Sequence, residues 1–233
     1  SIAPVPRWRP VTKALVFDVS DRTAPVLERT ITMTGSYCDA RMIGDYVYTI
    51  TTEAVDYSFN DPNVPMVKEG DDREITPDVY YFDMIYPYYL YQTITSFNIH
   101  DTAAPSAESF LVGSATTLYS SPSNMYIAYQ RTIPPQRWNE MRPALQEQIA
   151  PPGYNQEGTI IHKFSMNNGK VRYVASGDVP GHLLNQFSLD EYEQHLRVAT
   201  TVEGWTSSRA FLFNNVYVLD NDMQTVGRIE YIA

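Results

Sequence analysis

The feature that most constrains this chain is an internal repeat with an offset of eighty residues. Residues 17–25 read FDVSDRTAP and align without a gap with residues 97–105, which read FNIHDTAAP. Two weaker copies follow at 160–169 and at 215–222. A repeat of this kind predicts one supersecondary unit used several times, with each unit burying its apolar face against a neighbouring unit.

Every copy joins two β-prone runs through a short polar turn. Asp, Asn and Ser suit such a turn because their side chains hydrogen-bond to nearby backbone groups. Pro25 and Pro105 follow the turn, where a strand can begin without a backbone N–H. In the first full repeat a second hairpin comes next, and its Gly44-Asp45 dipeptide is a two-residue turn signal. The pattern therefore predicts four antiparallel strands per repeat.

Four antiparallel strands per repeat, without alternating helices, predict an all-β chain that forms about three and a half blades of a β-propeller. A solenoid or a plain sandwich is the alternative. We expect the last blade to begin with a strand at 182–189, and each of two inserts to separate a second strand from a third. The predicted partial propeller covers 1–233, with a half blade at 14–33, blades at about 37–112, 115–177 and 182–230, and inserts at about 53–91 and 131–157.

The first insert carries most of the charge of the chain. Between Glu53 and Asp83 there are nine acidic residues against two basic ones, and the whole chain has a net charge of −10. Such a charge disfavours a nucleic-acid partner, because phosphate binding needs clustered Lys and Arg. We expect residues 53–78 to form an exposed, mobile acidic loop. The alternative is a calcium site, although the spacing of a known calcium loop is missing. Calcium is the only cofactor that the sequence suggests, and its candidate ligands are Glu69, Asp71, Asp72 and Glu74.

The same insert is rich in tyrosine. Aromatic side chains offer large flat surfaces with a polar tip, on which sugar rings can stack. The alternative is that these tyrosines pack the insert against its blade and extend the third strand of that blade. The candidate ligand-binding residues are Tyr80, Tyr81, Tyr86 and Tyr88.

The sequence lacks the local signatures of the common catalytic sites. It contains no G-x-S-x-G motif, no P-loop and no dinucleotide fingerprint. Cys38 lies in a predicted strand, where we expect a small buried hydrophobe. In the second insert Trp138, Met141, Leu145 and Ile149 recur at helical spacing and predict a short amphipathic helix. No apolar run approaches the roughly twenty residues that cross a bilayer.

A set of motifs is spread over nearly the whole chain: 17–21 (FDVSD), Ala24 and Pro25, 36–48, 79–82, 160–164, 173–181, 184–192, 196–200 and 215–220. These motifs resemble the secreted β-propeller family of archaea and some bacteria, which is distantly related to WD repeats. The resemblance implies an extracellular or cell-surface location and a piece of a longer propeller, and it brings no catalytic residues with it.

These observations favour a non-catalytic extracellular scaffold that binds a protein, a glycan or another surface ligand. The alternative is an extracellular hydrolase or lyase whose acidic residues meet at the propeller channel from different blades, an arrangement that leaves no local motif. Fold alone does not decide between them. Because incomplete propellers expose sheet faces and edges, we also expect this chain to self-associate.

Overall fold

The structure is a computed structural model, and most of its described residues lie in β-strands. The described part contains no helix with the length and apolar character needed to cross a membrane. Contacts divide the chain into two compact units, Ser1–Ser114 with Asn167–Val171, and Ala115–Met166 with Arg172–Ala233. The residues that the structure describes are 8–57, 63–70, 73–82, 88–113, 117–132, 157–205 and 210–232.

Sheet 1 lies in the first unit and contains the N-terminal hairpin, β1 (Val11–Asp18) and β2 (Val26–Thr34). The sequence predicts half a blade here. In the structure, two short strands from the first insert, β5 (Val67–Glu69) and β6 (Arg73–Ile75), continue the sheet beyond β2. Strands of three residues inside an acidic segment have no periodicity, so the sequence pattern does not reveal them.

Sheet 2 contains the first full blade, with β3 (Ser36–Ile43), β4 (Tyr46–Ala54), β8 (Leu90–Asn98) and β9 (Ser106–Val112) in that order. All three pairings are antiparallel, as predicted. The insert adds a fifth strand, β7 (Asp78–Tyr81), which runs parallel to β9. The insert therefore supplies a neighbour to β2 in sheet 1 and to β9 in sheet 2.

Sheet 3 is a second meander of four antiparallel strands. Its strands lie in the second unit, except for the tip of the last hairpin, which belongs to the first unit. The order follows the chain: β10 (Thr117–Ser120), β11 (Asn124–Thr132), β12 (Glu157–Asn167) and β13 (Lys170–Pro180). The helix predicted around Trp138, Met141, Leu145 and Ile149 lies outside the described residues.

Sheet 4 completes the second unit with β14 (Leu189–Tyr192), β15 (His195–Trp205), β16 (Ala210–Leu219) and β17 (Thr225–Ile232). Four-stranded antiparallel sheets in succession confirm the predicted fold class, a partial β-propeller. A buried cluster that includes Tyr126, Ile161, Val198 and Leu219 forms the core of this unit.

The first strand of sheet 4 differs from the sequence prediction, which placed it at 182–189. His182 only forms an isolated bridge with Thr201, and residues 186–188 form a 3-10 turn. The side chain of Asn185 caps that turn by accepting a hydrogen bond of 2.8 Å from the backbone N–H of Phe187. This local bond competes with strand pairing, so the strand begins only at Leu189.

The polar turn of the repeat has the predicted chemistry. In three copies the first turn residue accepts a hydrogen bond from the backbone N–H two residues later: Asp18 from Ser20, Asn98 from His100 and Asp220 from Asp222, at 2.8, 2.8 and 3.0 Å. Such turns hold the chain reversal without help from another strand.

The acidic insert is anchored to the sheets where the structure describes it, and several of its residues are buried, in contrast to the expected exposed loop. Glu53 is buried and forms two hydrogen bonds of 2.7 Å with the Arg9 guanidinium. Asn63, also buried, donates to Glu53 at 3.0 Å and to the backbone oxygen of Ala54 at 2.9 Å. Val67 is fully buried against the core of sheet 1. Paired charges and one apolar anchor therefore offset the entropy of ordering these residues.

Cys38 differs from its predicted environment. It is a free, exposed cysteine, because β3 is an edge strand of sheet 2 and most of its side chains are at least partly accessible.

Strand β1 leads to a first prediction, self-association. It is an edge strand of sheet 1 and exposes Leu15 and Phe17. A concavity of about 410 Å³ lies beside it, lined among others by Tyr37, Val47 and Phe97. Because an apolar edge strand is a template for pairing with another chain, we expect a dimer whose fraction increases with protein concentration in light scattering.

The Leu15→Lys, Phe17→Lys double variant should shift the light-scattering mass to that of a monomer. The matched control is Leu184→Lys, since Leu184 is even more exposed but lies outside β1. A wild-type protein that stays monomeric at high concentration would contradict the prediction.

Candidate functional site

Strand β7 positions the tyrosines that the sequence predicts as ligand-binding residues. Val79, Tyr80 and Tyr81 are strand-favouring residues, and Pro77 precedes the strand, where a missing backbone N–H costs no ladder hydrogen bond. In the parallel pairing with β9, Asp78 lies opposite Glu108. Strand β7 is thus the outermost strand of sheet 2 among those that the structure describes.

The two faces of β7 have different roles. Successive side chains of a strand point to opposite faces, so Asp78 and Tyr80 share one face while Tyr81 lies on the other. Tyr80 stacks on Phe110 with ring centroids 5.5 Å apart and an interplanar angle of 24°. Tyr81 is 76% exposed, and Tyr88, which precedes β8, is 78% exposed. The packing alternative therefore holds for Tyr80, while Tyr81 and Tyr88 present their rings to solvent.

The carboxyl groups of Asp78 and Glu108 lie on the same face of the paired strands β7 and β9. Burial, and then the nearby charge of Asp78, raise the pKa of the Glu108 carboxyl group above its ordinary value, while the hydroxyl of Tyr80 bonds to it and acts in the opposite direction. The charge of Glu108 in turn raises the pKa of Tyr80. A carboxylate pair of this kind favours a positively charged neighbour, because a cation reduces the repulsion between the two acids.

Two buried oxygen atoms, one in this pair and one on the neighbouring strand β8, accept no hydrogen bond within the described part of the chain. They are Oε2 of Glu108 and Oε1 of Gln92. Gln92 is 2% exposed and lies on β8 opposite Phe110. Buried polar atoms without a partner are uncommon in folded proteins, and each one indicates a missing donor.

The predicted calcium ligands are only partly described. Glu69 forms hydrogen bonds of 2.7 Å with both Arg29 and Arg73, and Glu74 pairs with Lys68 at 3.1 Å. Two guanidinium groups thus already neutralise Glu69. Among the described residues, no group of three or more His, Cys, Asp or Glu side chains is placed to hold a metal ion. Asp71 and Asp72 lie outside the described residues, as does Tyr86 among the predicted tyrosines.

The sequence alone does not mark Glu108, Gln92 or Phe110 as site residues. They belong to the regular strands of the repeat, where each has the ordinary pattern of a blade residue. Only the parallel pairing of β7 brings them beside Asp78 and Tyr80, and this pairing joins segments about thirty residues apart. A local sequence signal for that contact does not exist.

Comparison with known proteins agrees with the fold. An uncharacterized protein of Methanocaldococcus jannaschii is 24% identical over 288 residues, which cover 95% of this chain and 44% of that protein. An uncharacterized protein of Archaeoglobus fulgidus is 46% identical over 74 residues, or 32% of this chain and 10% of that protein. The chain thus spans less than half the length of these relatives.

A family model described as a beta propeller domain matches residues 1–233. The match covers every strand of the four sheets, including the strands of the first insert. The chain belongs to the beta propeller domain family.

Proposed function

We propose that this chain is part of a non-catalytic extracellular scaffold that binds a surface ligand, a protein or a glycan, at strand β7. The observation that carries the proposal is the exposure of Tyr81, on the edge strand β7, and of Tyr88, just before β8, each more than three-quarters accessible. Large exposed aromatic side chains that share one region of a surface are typical of binding sites. The extracellular location rests on the family resemblance of the sequence.

The edge position of β7 supports binding as well. Among the described strands, β7 pairs with β9 on one side and with none on the other. A free strand edge offers backbone N–H and C=O groups to an extended ligand, and the flanking side chains select among ligands. Tyr80, stacked on Phe110, gives this edge a rigid base.

Acidic residues on the first strands of sheets 2 and 4 support binding rather than the hydrolase or lyase alternative. Asp39 of β3 pairs with Arg41 at 2.6 Å, and Asp190 of β14 pairs with Arg197. Glu191 accepts hydrogen bonds from Asn124 and from another side chain of sheet 3. Carboxylates held in this way suit structural roles, since a catalytic acid or base has to reach the substrate proton that it transfers.

The proposal predicts loss of binding when the exposed rings are removed. We expect the Tyr81→Ser, Tyr88→Ser double variant to bind ligands found on an array of glycans and synthetic peptides at least about tenfold more weakly than the wild type, because buried aromatic anchors contribute roughly 2 kcal/mol or more at interfaces. Affinities of the array hits are measured by surface plasmon resonance.

Tyr192→Ser is the matched control, because Tyr192 is 58% exposed but lies in sheet 4. It should leave these affinities within about twofold of the wild type. An array without any ligand, or ligands whose affinity the double variant retains, would refute the proposed function.

A further inference from the structure

One face of the outer part of sheet 2 collects hydrogen-bond acceptors beside aromatic rings. In the unshifted pairings of β8, β9 and β7, Gln92, Phe110 and Tyr80 form one row across the three strands. Glu108 and Asp78 belong to the next row of the same face, since residues two apart on a strand point to the same side. We call the side chains of Gln92, Glu108, Asp78 and Tyr80 the acceptor face.

The acceptor face lacks donors for its buried oxygens. Oε1 of Gln92 and Oε2 of Glu108 are buried and accept no hydrogen bond in the described part of the chain, and the whole Gln92 residue is only 2% exposed. Oxygen atoms in this situation need two N–H or O–H donors from outside the sheet to avoid the cost of desolvation.

The charge of the acceptor face defines which donor fits. Asp78 and Glu108 lie directly opposite each other, so a ligand with a positive charge reduces their repulsion. Burial first, and the charge of Asp78 second, raise the pKa of Glu108, and both causes disfavour its charged form unless a cation is near. The ring of Tyr80, 47% exposed, adds an aromatic surface that attracts a cation. The net charge of −10 of the whole chain also favours a positively charged ligand.

We propose that the acceptor face binds an arginine side chain of a partner polypeptide that lies along the free edge of β7. This inference rests on the proposed function, because it uses the same strand, and it names the ligand class. A guanidinium group is planar, carries five donors and remains charged at any physiological pH. It can therefore donate to Gln92 and Glu108 together while its plane lies against Tyr80, a combination that a single ammonium group does not offer.

An ordered water molecule is the competing occupant. Water can donate to both Gln92 and Glu108, but it brings no charge that balances Asp78 and Glu108. The two occupants therefore differ in their response to the charge of a ligand with fixed shape.

The test uses two capped heptapeptides that differ in one group. Both alternate valine and threonine around a central residue, which is arginine in one peptide and citrulline, its uncharged analogue of nearly the same shape, in the other. Each is titrated into the whole chain and followed by calorimetry and by NMR shifts of backbone amides. We expect the arginine peptide to bind at least tenfold more tightly than the citrulline peptide, with the largest shifts on β7 and β9.

Variants identify the residues that recognise the positive charge of the arginine peptide. Glu108→Gln and Asp78→Asn should each weaken the arginine peptide at least fivefold and leave the citrulline peptide unchanged. Val79→Ser is the matched control for the acceptor face, since Val79 belongs to the same strand but to its other face. The comparison of the two peptides on the wild type needs no variant, so it stands even if a variant fails to fold.

Equal affinities for the two peptides, or no binding of either, would overturn the inference and leave water as the occupant. Its failure is separate from failure of the proposed function. Glycans on the array that need Tyr81 and Tyr88 while the arginine peptide does not bind would refute this inference alone. An arginine peptide that binds while the array variants show no role for Tyr81 and Tyr88 would refute the tyrosine site alone.

Discussion

Replacement of Arg29 by Met is expected to lower the free energy of unfolding of the first unit by about 3 to 5 kcal/mol, the range measured when one partner of a buried ion pair is removed. The side chain of Arg29 is 7% exposed and pairs with Glu69 on β5 at 2.6 Å. Removing the guanidinium leaves the Glu69 carboxylate, itself largely buried, with the more exposed Arg73 as its ion-pair partner among the described residues.

The expected loss is large because Arg29 also holds the polar turn of the next repeat copy. Its guanidinium donates to the backbone oxygens of Asn98, Asp101 and Ala103 at 2.6, 2.8 and 3.0 Å. The same group lies 5.7 Å from the ring centroid of Phe97. One side chain of β2 therefore connects sheet 1, the insert and sheet 2, and its loss leaves several acceptors without a donor.

Equilibrium unfolding in urea, followed by two spectroscopic probes, measures the change. Arg41→Met is the matched control, because Arg41 forms an ion pair with Asp39 but is 37% exposed, and exposed pairs contribute about 1 kcal/mol or less. Arg29→Lys should lie between the wild type and the Met variant, since an ammonium group keeps the charge but cannot reach all of these acceptors. An Arg29→Met protein as stable as Arg41→Met would show that the network adds nothing to stability.

The repeat predicted the regular part of the fold because it depends on local chemistry. The eighty-residue register placed two equivalent hairpins, β1 with β2 and β8 with β9, and both are present. The Gly44-Asp45 signal predicted a tight turn, and Ile43 indeed pairs with Tyr46 across it, with Gly44 at φ +59°. A left-handed backbone at a turn is what glycine accommodates at low cost.

The insert could not be predicted in the same way, because tertiary contacts determine its structure. Strands β5, β6 and β7 have three or four residues each, too few for a recognisable period. The acidic residues that indicate a solvated loop, such as Glu53 and Glu69, are neutralised by Arg9 and Arg29, which lie about forty residues away. The tyrosines could be predicted as candidate ligand-binding residues because they are close together in the sequence. Gln92 and Glu108 could not, because only the parallel pairing of β7 with β9 brings them beside Tyr80 and Asp78.

Acidification from pH 7 to pH 4 is expected to cost the wild type about 3 kcal/mol more in free energy of unfolding than it costs a His162→Gln variant. His162 lies in β12 with 1% of its surface exposed, and burial lowers the pKa of its imidazole to about 4, compared with an ordinary value of 6.5. The folded state therefore holds the imidazole neutral, while the unfolded chain takes up a proton once the pH falls below about 6.5.

The direction of the effect follows from proton binding. Between pH 6.5 and pH 4 the unfolded chain binds more protons at His162 than the folded chain does, so the contribution of this residue is complete above pH 6.5 and is lost as the pH falls towards 4. The buried surroundings are aromatic: the ring of Tyr129 stacks on His162 at 5.6 Å, and its hydroxyl lies 3.1 Å from Nε2. Glutamine keeps a polar partner for that hydroxyl but does not titrate, so the variant isolates the protonation of His162 from the titration of the carboxyl groups.

Urea unfolding of both proteins at four pH values between 7 and 4 gives the two stability profiles, and their difference is the quantity of interest. His195→Gln is the control, because it makes the same substitution at an exposed position at the start of β15. An NMR titration of the His162 ring in the wild type provides a measurement that does not depend on any variant. Profiles of wild type and His162→Gln that stay parallel down to pH 4, or a ring that titrates near pH 6.5, would show that β12 does not keep this histidine neutral.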